Sequence, residues 1–190
     1  MKELLQHLKS TVAISDQHLE VVSAKFTEQH FSKKEHLLYF DHYAKRLYFT
    51  AKGCLRTYAI DFNGVEHNVS FAVENWWSGD LKSFLNKESA ICNIQALEDS
   101  LVFSINRENW DCLVREIPEF VSYTRILFRN KLFAQQDRII QNLSFTAKER
   151  YHHFLQEYPN LSQRIPQKYI ASYLGITPEF LSMLRSRMKK

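Results

Sequence analysis

The chain changes its hydrophobic period twice, from helical to strand-like and back to helical. Near the N-terminus, Leu4, Leu5 and Leu8 fall on one face of a helix, and residues 1 to about 30 are predicted to be mainly helical. Ser15, followed by His18 and Leu19, is the predicted start of a second short helix in this region.

From His36 onward, short segments rich in aromatic and β-branched residues alternate with turn residues, which is typical of β-strands. Asn63-Gly64 predicts a hairpin because both residue types tolerate positive φ, and Lys52-Gly53 marks another turn. Many short strands at regular spacing predict a barrel, a roll or a sandwich. The predicted strands cover residues 37–40, 46–50, 55–60, 65–71, 93–97 and 101–105.

A long helix is predicted from Ile117-Pro118 to about Leu143. At roughly 1.5 Å per residue, its approximately 26 residues would reach about 39 Å, a length that favours a partner helix. We expect one of two seven-residue apolar series to face the β-strands and the other a partner: Phe120, Leu127 and Ala134, and Ile126, Phe133 and Ile140. The alternative is a helix buried only within its own chain.

Residues 146–188 contain the pattern of three further helices. Thr146 and Glu149 form a capping-box signature that begins a helix ending near Tyr158-Pro159. Gly175 then separates two short helices, since glycine takes a left-handed backbone without steric cost. The first of these carries Ile170, the small Ala171 and Leu174 on one face, and the second carries Leu181, Leu184 and Met188.

The turn between these two helices is typical of a helix-turn-helix. Thr177 is a good N-cap, Pro178 suits the first helical turn, and Glu179 complements the helix dipole. A small residue at Ala171 would let the helices cross closely. An ordinary helical hairpin in a core is the alternative. The basic residues that follow favour DNA binding instead.

Charge supports that interpretation. Residues 148–190 contain eight Lys or Arg against three acidic residues, a net charge of +5, whereas the whole chain carries +4. The positive charge therefore accompanies the predicted helix-turn-helix, where phosphate contacts would be needed.

Composition places the chain among ordinary globular proteins, with 45% hydrophobic and 24% charged residues. No apolar run approaches a membrane span, and the N-terminus lacks the apolar region of a signal peptide. Three scattered cysteines, Cys54, Cys92 and Cys112, suggest a reducing compartment, so we expect a cytoplasmic protein. The chain has no glycine-rich phosphate loop, HExxH motif or nucleophile–base pair, so an enzyme is not expected.

The order of these parts resembles the Crp/Fnr family of bacterial transcription regulators over nearly the whole chain. The motifs that carry the resemblance are Lys52-Gly53 with the Asn63-Gly64 hairpin, Gly79-Asp80-Leu81, and residues 170–184. The amino-acid sequence of residues 74–81, 93–100 and 170–181 is similar to that of family members from the branch common in Bacteroidetes-type bacteria.

The resemblance implies an α+β protein in three parts. They are a sensor domain at residues 1–116, with a β-roll of double-stranded jelly-roll type and flanking helices, a central dimerisation helix at 117–143, and an all-α helix-turn-helix domain at 144–190. It also implies a homodimer, double-stranded DNA as a partner, a small-molecule effector bound in the roll, and leaves RNA polymerase open as a further partner.

In cyclic-AMP-binding members of the family, a Gly-Glu-Leu segment is followed by Arg-Ser/Thr-Ala, whose arginine pairs with the cyclic phosphate. Here Glu88 stands where that arginine would be, and a carboxylate repels phosphate. Lys82 and Lys87 lie nearby but lack the bidentate fork of arginine. The sequence therefore argues against cyclic AMP and leaves another ligand, or none. The residues that would form the effector pocket are Trp77, Gly79, Asp80, Leu81, Ser89 and Ala90, although paired aromatics such as Trp76-Trp77 are more often core.

Other cofactors of the family are not expected. Iron–sulfur members need a cysteine cluster near the N-terminus, and none precedes Cys54. The eight histidines have no spacing diagnostic of haem, and His152-His153 is most simply a solvated helix face. The pattern gives no metal site.

The second helix of a helix-turn-helix enters the major groove. Glu179 could accept from a cytosine amino group, and Ser182 could contact base or phosphate. Family members often carry arginines where this chain has Pro178 and Met183, so a different operator is expected. The residues predicted to contact DNA are Gln167, Lys168, Thr177, Pro178, Glu179, Ser182, Met183, Arg185, Ser186 and Arg187, with Lys189 and Lys190 as further phosphate contacts.

The sequence ends two residues after Met188, so a full wing after the recognition helix is not expected. This departure, together with the missing recognition arginines, keeps one alternative open: a ligand-binding sensor whose C-terminal helices serve protein interaction rather than DNA binding.

Overall fold

The computed structural model describes residues 1–188, which form nine helices and eight strands. The strands are β1 (Thr27–Phe31), β2 (His36–Leu38), β3 (Arg46–Lys52), β4 (Leu55–Ile60), β5 (Glu66–Ala72), β6 (Trp77–Ser78), β7 (Asn93–Ala96) and β8 (Ser100–Asn106). The helices are α1 (Lys2–Thr11), α2 (Asp16–Ala24), α3 (Leu81–Asn86), α4 (Arg107–Glu116), α5 (Pro118–Ser144), α6 (Ala147–Glu157), α7 (Leu161–Arg164), α8 (Gln167–Leu174) and α9 (Pro178–Met188).

The strands form a β-roll of two four-stranded antiparallel sheets, as predicted. One sheet has the order β1-β8-β3-β6 and the other the order β2-β7-β4-β5. Buried residues of both sheets, among them Phe49, Ile94 and Phe103, share one hydrophobic core. Non-consecutive strands are neighbours in both sheets, so the fold depends on contacts between residues far apart in the sequence.

The helical N-terminal region is shorter than predicted. Ser15 caps α2 by accepting a hydrogen bond from the N–H of His18, as expected, but residues 27–31 form β1. The segment pairs with β8, and only this partner supplies the hydrogen bonds that select a strand over a helix.

The Asn63-Gly64 hairpin is present, with a different turn from the one expected. Gly64 alone of the two residues has positive φ, +80°. The Asp61 carboxylate accepts hydrogen bonds from the N–H groups of Asn63 and Val65 and so organises a longer loop between β4 and β5.

The long helix α5 lies against the roll at its start and leaves it further on. Phe120 and Tyr123 are buried against α1, α4 and the roll, and Leu127 packs at the edge of the same core. Beyond this point, Ala134 is exposed, so the series of Phe120, Leu127 and Ala134 faces the roll only at its first two positions. The other series continues into solvent, and several large apolar side chains of α5 are exposed: Phe128, Leu132, Phe133, Ile139, Ile140 and Leu143.

Candidate nucleic-acid interface and effector pocket

The structure forms the predicted helix-turn-helix from α8 and α9. Gly175 ends α8 in a left-handed conformation, with φ of +66°, and the Ile176 N–H donates to the carbonyl of Ala171 at 3.0 Å. The Thr177 hydroxyl accepts from the N–H of Phe180 at 3.2 Å and caps α9. Each turn residue therefore has the local role that its type predicts.

The buried side of this unit also matches the apolar spacing, with one exception. Ile170, Ala171, Leu174, Leu181 and Leu184 are buried together with residues of α6 and α7. Met188, the third member of the predicted apolar stripe, is 38% exposed. It is the last residue of α9, and no neighbour among residues 1–188 covers it fully.

The other side of α9 faces solvent. Arg185 is half-buried, and Phe180, which is not among the predicted DNA contacts, is exposed. Lys189 and Lys190 lie outside the described residues. The predicted DNA contacts that are exposed are Gln167, Lys168, Thr177, Pro178, Glu179, Ser182, Met183, Ser186 and Arg187.

A shallow polar cleft lies between the start of α8 and the middle of α9. It has a volume of about 170 Å³ and is lined by Gln167, Ser182, Arg185 and Ser186. One cation and three hydrogen-bonding side chains thus converge from two helices, an arrangement suited to a phosphate oxygen.

The β-roll holds α8 through a set of polar contacts. The Ser172 hydroxyl accepts from the N–H of Asn68 at 3.0 Å and donates to the carbonyl of Glu66 at 2.9 Å. The Arg56 guanidinium lies between two aromatic rings, 3.9 Å from the centroid of Tyr58 and 4.2 Å from that of Tyr169 on α8. The strand pair β4–β5 therefore fixes where α8 sits.

The long helix α5 also contacts the region where β5 meets α8. Arg138 of α5 donates to the carbonyls of Asn68 and Val69 on β5 and of Tyr173 on α8, and its guanidinium lies 3.8 Å from the centroid of the Tyr173 ring. One arginine thus connects α5, the roll and the helix-turn-helix.

A third arginine, Arg164, joins α7 to the roll. Arg164 donates to Glu74 Oε1 and Oε2 at 2.8 and 2.9 Å, and to Glu98. Burial of Glu74 raises its pKa, but hydrogen bonds from Arg164 and from the Gly53 N–H outweigh burial and hold the pKa below its ordinary value. Arg164 is part of the positive charge of residues 148–190, yet this charge is neutralised by the roll.

Apolar contacts connect the same parts. Cys54, Phe71 and Leu97 of the roll are buried with Phe154 and Tyr158 of the α6 region. The ring centroids of Phe71 and Tyr158 are 5.9 Å apart. Burial raises the pKa of the Cys54 thiol, which is therefore a neutral core residue.

In the predicted effector loop, the Asp80 carboxylate already accepts hydrogen bonds from groups of the protein. The buried Asp80 caps α3 by accepting from the N–H of Ser83 at 3.0 Å. Its other carboxylate oxygen accepts from the N–H of Ile91 at 3.0 Å and from Cys92 Sγ at 3.6 Å. Burial raises the pKa of the Cys92 thiol to about 12, and the Asp80 charge is a smaller cause in the same direction. The carboxylate thus organises the loop itself.

Several other groups of this loop also have partners within the protein. Lys82 Nζ lies 2.8 Å from the Glu88 carboxylate, and the Ala90 N–H donates to the carbonyl of His42 at 2.8 Å. Ser89 forms an isolated β-bridge with Tyr43. Gly79 lies directly against Leu47, and Leu81 packs at the edge of the main core. Lys82, considered as a replacement for the family's arginine, is therefore engaged by Glu88.

Trp77, a predicted effector-pocket residue, makes its polar contact on the helical side of the roll. Its indole N–H donates to the Tyr123 hydroxyl at 2.9 Å, and the same oxygen lies 2.8 Å from His7 Nδ1. The ring packs among aromatic residues of the helical side of the roll. Burial lowers the pKa of His7, which favours a neutral ring whose Nδ1 accepts a hydrogen bond from the Tyr123 hydroxyl.

Within residues 1–188, no cluster of three or more His, Cys, Asp or Glu side chains has an arrangement that could hold a metal ion. His152 and His153 are exposed on α6, as predicted. No helix in the described part of the chain is both long and apolar enough to span a bilayer.

Comparison with known proteins agrees with this architecture. Residues 28–116 match the family described as cyclic nucleotide-binding domain. The chain is 30% identical over 166 residues to the fumarate and nitrate reduction regulatory protein of Yersinia pestis, covering 77% of this chain and 62% of that protein. The chain spans between 56% and 65% of the length of such curated relatives.

Solved structures share the fold at low sequence identity. FixK2 from Bradyrhizobium japonicum superposes with a TM-score of 0.77 at 20% identity, covering 86% of this chain and 84% of that one. A regulator described as of the crp/fnr family from Eubacterium rectale superposes with a TM-score of 0.71 at 18% identity, covering 93% and 84%. The chain thus matches the cyclic nucleotide-binding domain family over residues 28–116, has regulators of the fumarate and nitrate reduction type as sequence relatives, and shares the fold of a solved regulator of the crp/fnr family.

Proposed function

We propose that the chain is a DNA-binding transcription regulator that acts as a homodimer and places α9 in the major groove. The observation that carries this proposal is the division of α9 into two sides. Leu181 and Leu184 are buried, while Glu179, Ser182 and Ser186 face solvent with the polar chemistry that base edges and phosphates require.

The charges around α9 support the same function. Lys168 and Arg187 are exposed, and Arg185 lines the polar cleft beside Gln167. Cations at the edges of a recognition helix contact phosphates and position it, while residues at its centre read bases. We assign Glu179 to base reading and Arg187 to phosphate contact.

The dimer is supported by the exposed apolar side chains of α5. Phe128, Leu132, Ile139 and Leu143 follow one another at intervals of four, seven and four residues, so they lie along one face. Two copies packed along this face would bring two helix-turn-helix units together, as binding to a two-fold symmetric operator requires.

We propose that residues 1–116 are the sensor part, residues 117–143 the dimerisation helix and residues 144–190 the DNA-binding part of a cytoplasmic regulator, with RNA polymerase as a further partner. The effector is not cyclic AMP in this proposal. A cyclic phosphate at the loop would face the Glu88 carboxylate, and Asp80 already accepts from two backbone N–H groups and a thiol.

DNA binding tests the proposal directly. The purified full chain is used to select duplexes from a random pool at low salt, and the selected site is then titrated with wild type, Glu179→Ala and Arg187→Ala. Glu179→Ala should relax the preference at one base pair of each half-site, at a cost of about 1–3 kcal/mol for the correct base.

Arg187→Ala should weaken all duplexes alike and reduce the slope of log K against log salt by about one for each contact removed. Equal, sequence-blind losses from both variants would contradict the base-reading role of Glu179. A chain that selects no duplex at low salt, with or without cell extract as a source of effector, would contradict the regulator itself.

A further inference from the structure

We propose that Phe180, with Met183 beside it, reads the C5-methyl groups of thymines in the operator, next to the base read by Glu179. This inference rests on the proposed function and deepens it by naming the base that the apolar part of α9 recognises.

Phe180 is a large apolar side chain that stays exposed on α9. It lies in the first turn of α9, directly after Glu179, and its side chain is 42% exposed. The core beneath α9 is completed by Leu181 and Leu184, and Phe180 does not belong to it. Its own N–H is bound by the Thr177 cap, which fixes the backbone of this turn. The phenyl ring is therefore held at the start of the helix, outside the buried cluster beneath α9.

Met183 extends the same apolar surface. It lies three residues after Phe180, so the two side chains are neighbours along the helix, and it is 40% exposed. Glu179 and Ser186 lie opposite the buried stripe of α9. Met183 lies next to them, and Phe180 lies further round on the same side, between the outward face and the buried stripe. In the proposed complex, the first turns of α9 thus present Phe180 and Met183 to the major groove beside the Glu179 carboxylate.

The major groove offers one apolar feature that such a pair can recognise. Thymine presents its C5-methyl group there, whereas guanine, adenine and cytosine present hydrogen-bonding atoms that a phenyl ring or thioether pairs with poorly. An exposed phenylalanine against a methyl group gains by burying apolar surface on binding. Adenine–thymine pairs are therefore expected next to the position read by Glu179.

Deoxyuridine isolates this contact, because it lacks the methyl group and leaves base pairing and the O4 acceptor unchanged. Each thymine of the selected operator is replaced in turn by deoxyuridine, and binding is measured for wild type and Phe180→Ala. For wild type we expect a loss of about fourfold for each contacted methyl removed. For Phe180→Ala we expect weaker binding than wild type to the operator that contains thymine. We also expect this variant to bind the thymine and deoxyuridine operators with equal affinity at the contacted positions.

Two further variants serve as controls. Phe180→Leu keeps an apolar side chain and should keep the thymine preference. Phe62→Ala removes a phenylalanine that is 97% exposed in the loop between β4 and β5, outside the helix-turn-helix, and should keep the wild-type preference. Melting temperatures establish that all variants are folded.

The outcomes separate this inference from the function on which it rests. A chain that binds no DNA overturns both. A chain that binds its operator equally well with deoxyuridine throughout, or whose thymine preference survives in Phe180→Ala, overturns the thymine reading alone. Selection of half-sites without thymine also overturns it, and would indicate that Phe180 packs against another protein segment instead.

Discussion

At the scale of single residues, Gly53 determines how the chain passes from one sheet of the roll to the other. Its φ is +101°, and a Cβ there would lie 2.8 Å from the backbone Cα of Ser100. Its N–H also donates to Glu74, which in turn binds Arg164. Gly53 thus adopts a backbone with positive φ and lets Ser100 approach closely. Its N–H also links the roll, through Glu74, to Arg164 of the C-terminal helices.

Gly53→Ala should therefore lower the free energy of unfolding by about 1–3 kcal/mol or more, because strain and a backbone clash add. Gly64→Ala is the matched control, since that glycine has φ of +80° with nothing within 4 Å of the added Cβ. The free energy of unfolding of Gly64→Ala should fall only by the cost of placing alanine in a left-handed conformation, about 1 kcal/mol. Chemical denaturation measures both, and equal losses would contradict the role of Ser100.

Individual residues also show which roles can be predicted from the sequence. Thr177, Gly175 and Ser15 act within a few residues of themselves, so their roles follow from residue type and local spacing. Asp80 and Trp77 could not be placed in this way. Their partners, Ile91 and Tyr123, are brought to them by the fold.

At the scale of elements, the exposed apolar face of α5 predicts the oligomeric state. Ile139→Glu places a charge on this face in both copies, and an uncompensated charge at a buried contact costs about 3 kcal/mol or more. The dimer dissociation constant should rise by roughly a hundredfold. Sedimentation analysis at several concentrations measures this change.

Asn130→Glu is the control on the same helix, because Asn130 is exposed but lies off the apolar face. This variant should remain as dimeric as wild type. If Ile139→Glu were also dimeric, the face formed by Phe128, Leu132, Ile139 and Leu143 would not be the dimer contact.

The junction of α7 with the roll predicts a pH dependence. Because the pKa of Glu74 is lowered in the folded state, the Arg164–Glu74 contact stabilises the protein above the ordinary glutamate value of 4.5 and is lost as the pH falls through the lower folded value. Arg164→Gln should lower the unfolding free energy by about 1 kcal/mol near neutral pH. The difference from wild type should shrink in acid.

Arg115→Gln provides the comparison, since Arg115 pairs with the adjacent, exposed Glu116. Its unfolding free energy should stay close to wild type at every pH. Denaturant titrations across the acid range measure both variants. A gap between Arg164→Gln and wild type that does not narrow in acid would contradict the assignment to Glu74.

At the scale of the whole molecule, the roll and the helix-turn-helix share a core. Arg56, Arg138 and Arg164 join them at three places, and Phe71 packs among the aromatic residues of the C-terminal helices. The position of α9 therefore depends on the shape of the roll. A ligand that alters β5 or the β7–β8 loop has a direct contact route to the proposed DNA-binding surface.

Cyclic AMP is not expected to be that ligand. The melting temperature of the full chain should remain unchanged with cyclic AMP, because a ligand must bind the folded state to stabilise it. A thermal-shift series with AMP as the control tests this. A saturable rise with cyclic AMP alone would show that the Lys82–Glu88 pair and the Asp80 contacts open to admit the nucleotide.

The features that the amino-acid sequence alone predicts depend on interactions between residues that are close together in the chain. Apolar period, caps and turn residues specify the helix-turn-helix, the long helix and the order of most strands, and the residue type at Glu88 is enough to argue against a phosphate ligand. Tertiary contacts decide that residues 27–31 are a strand, that Trp77 packs against the core and that Glu74 and Glu98 neutralise the charge of Arg164. They also leave Phe180 exposed at the start of α9. The physical reason is that these outcomes depend on partners distant in sequence, and only folding brings such partners within contact distance.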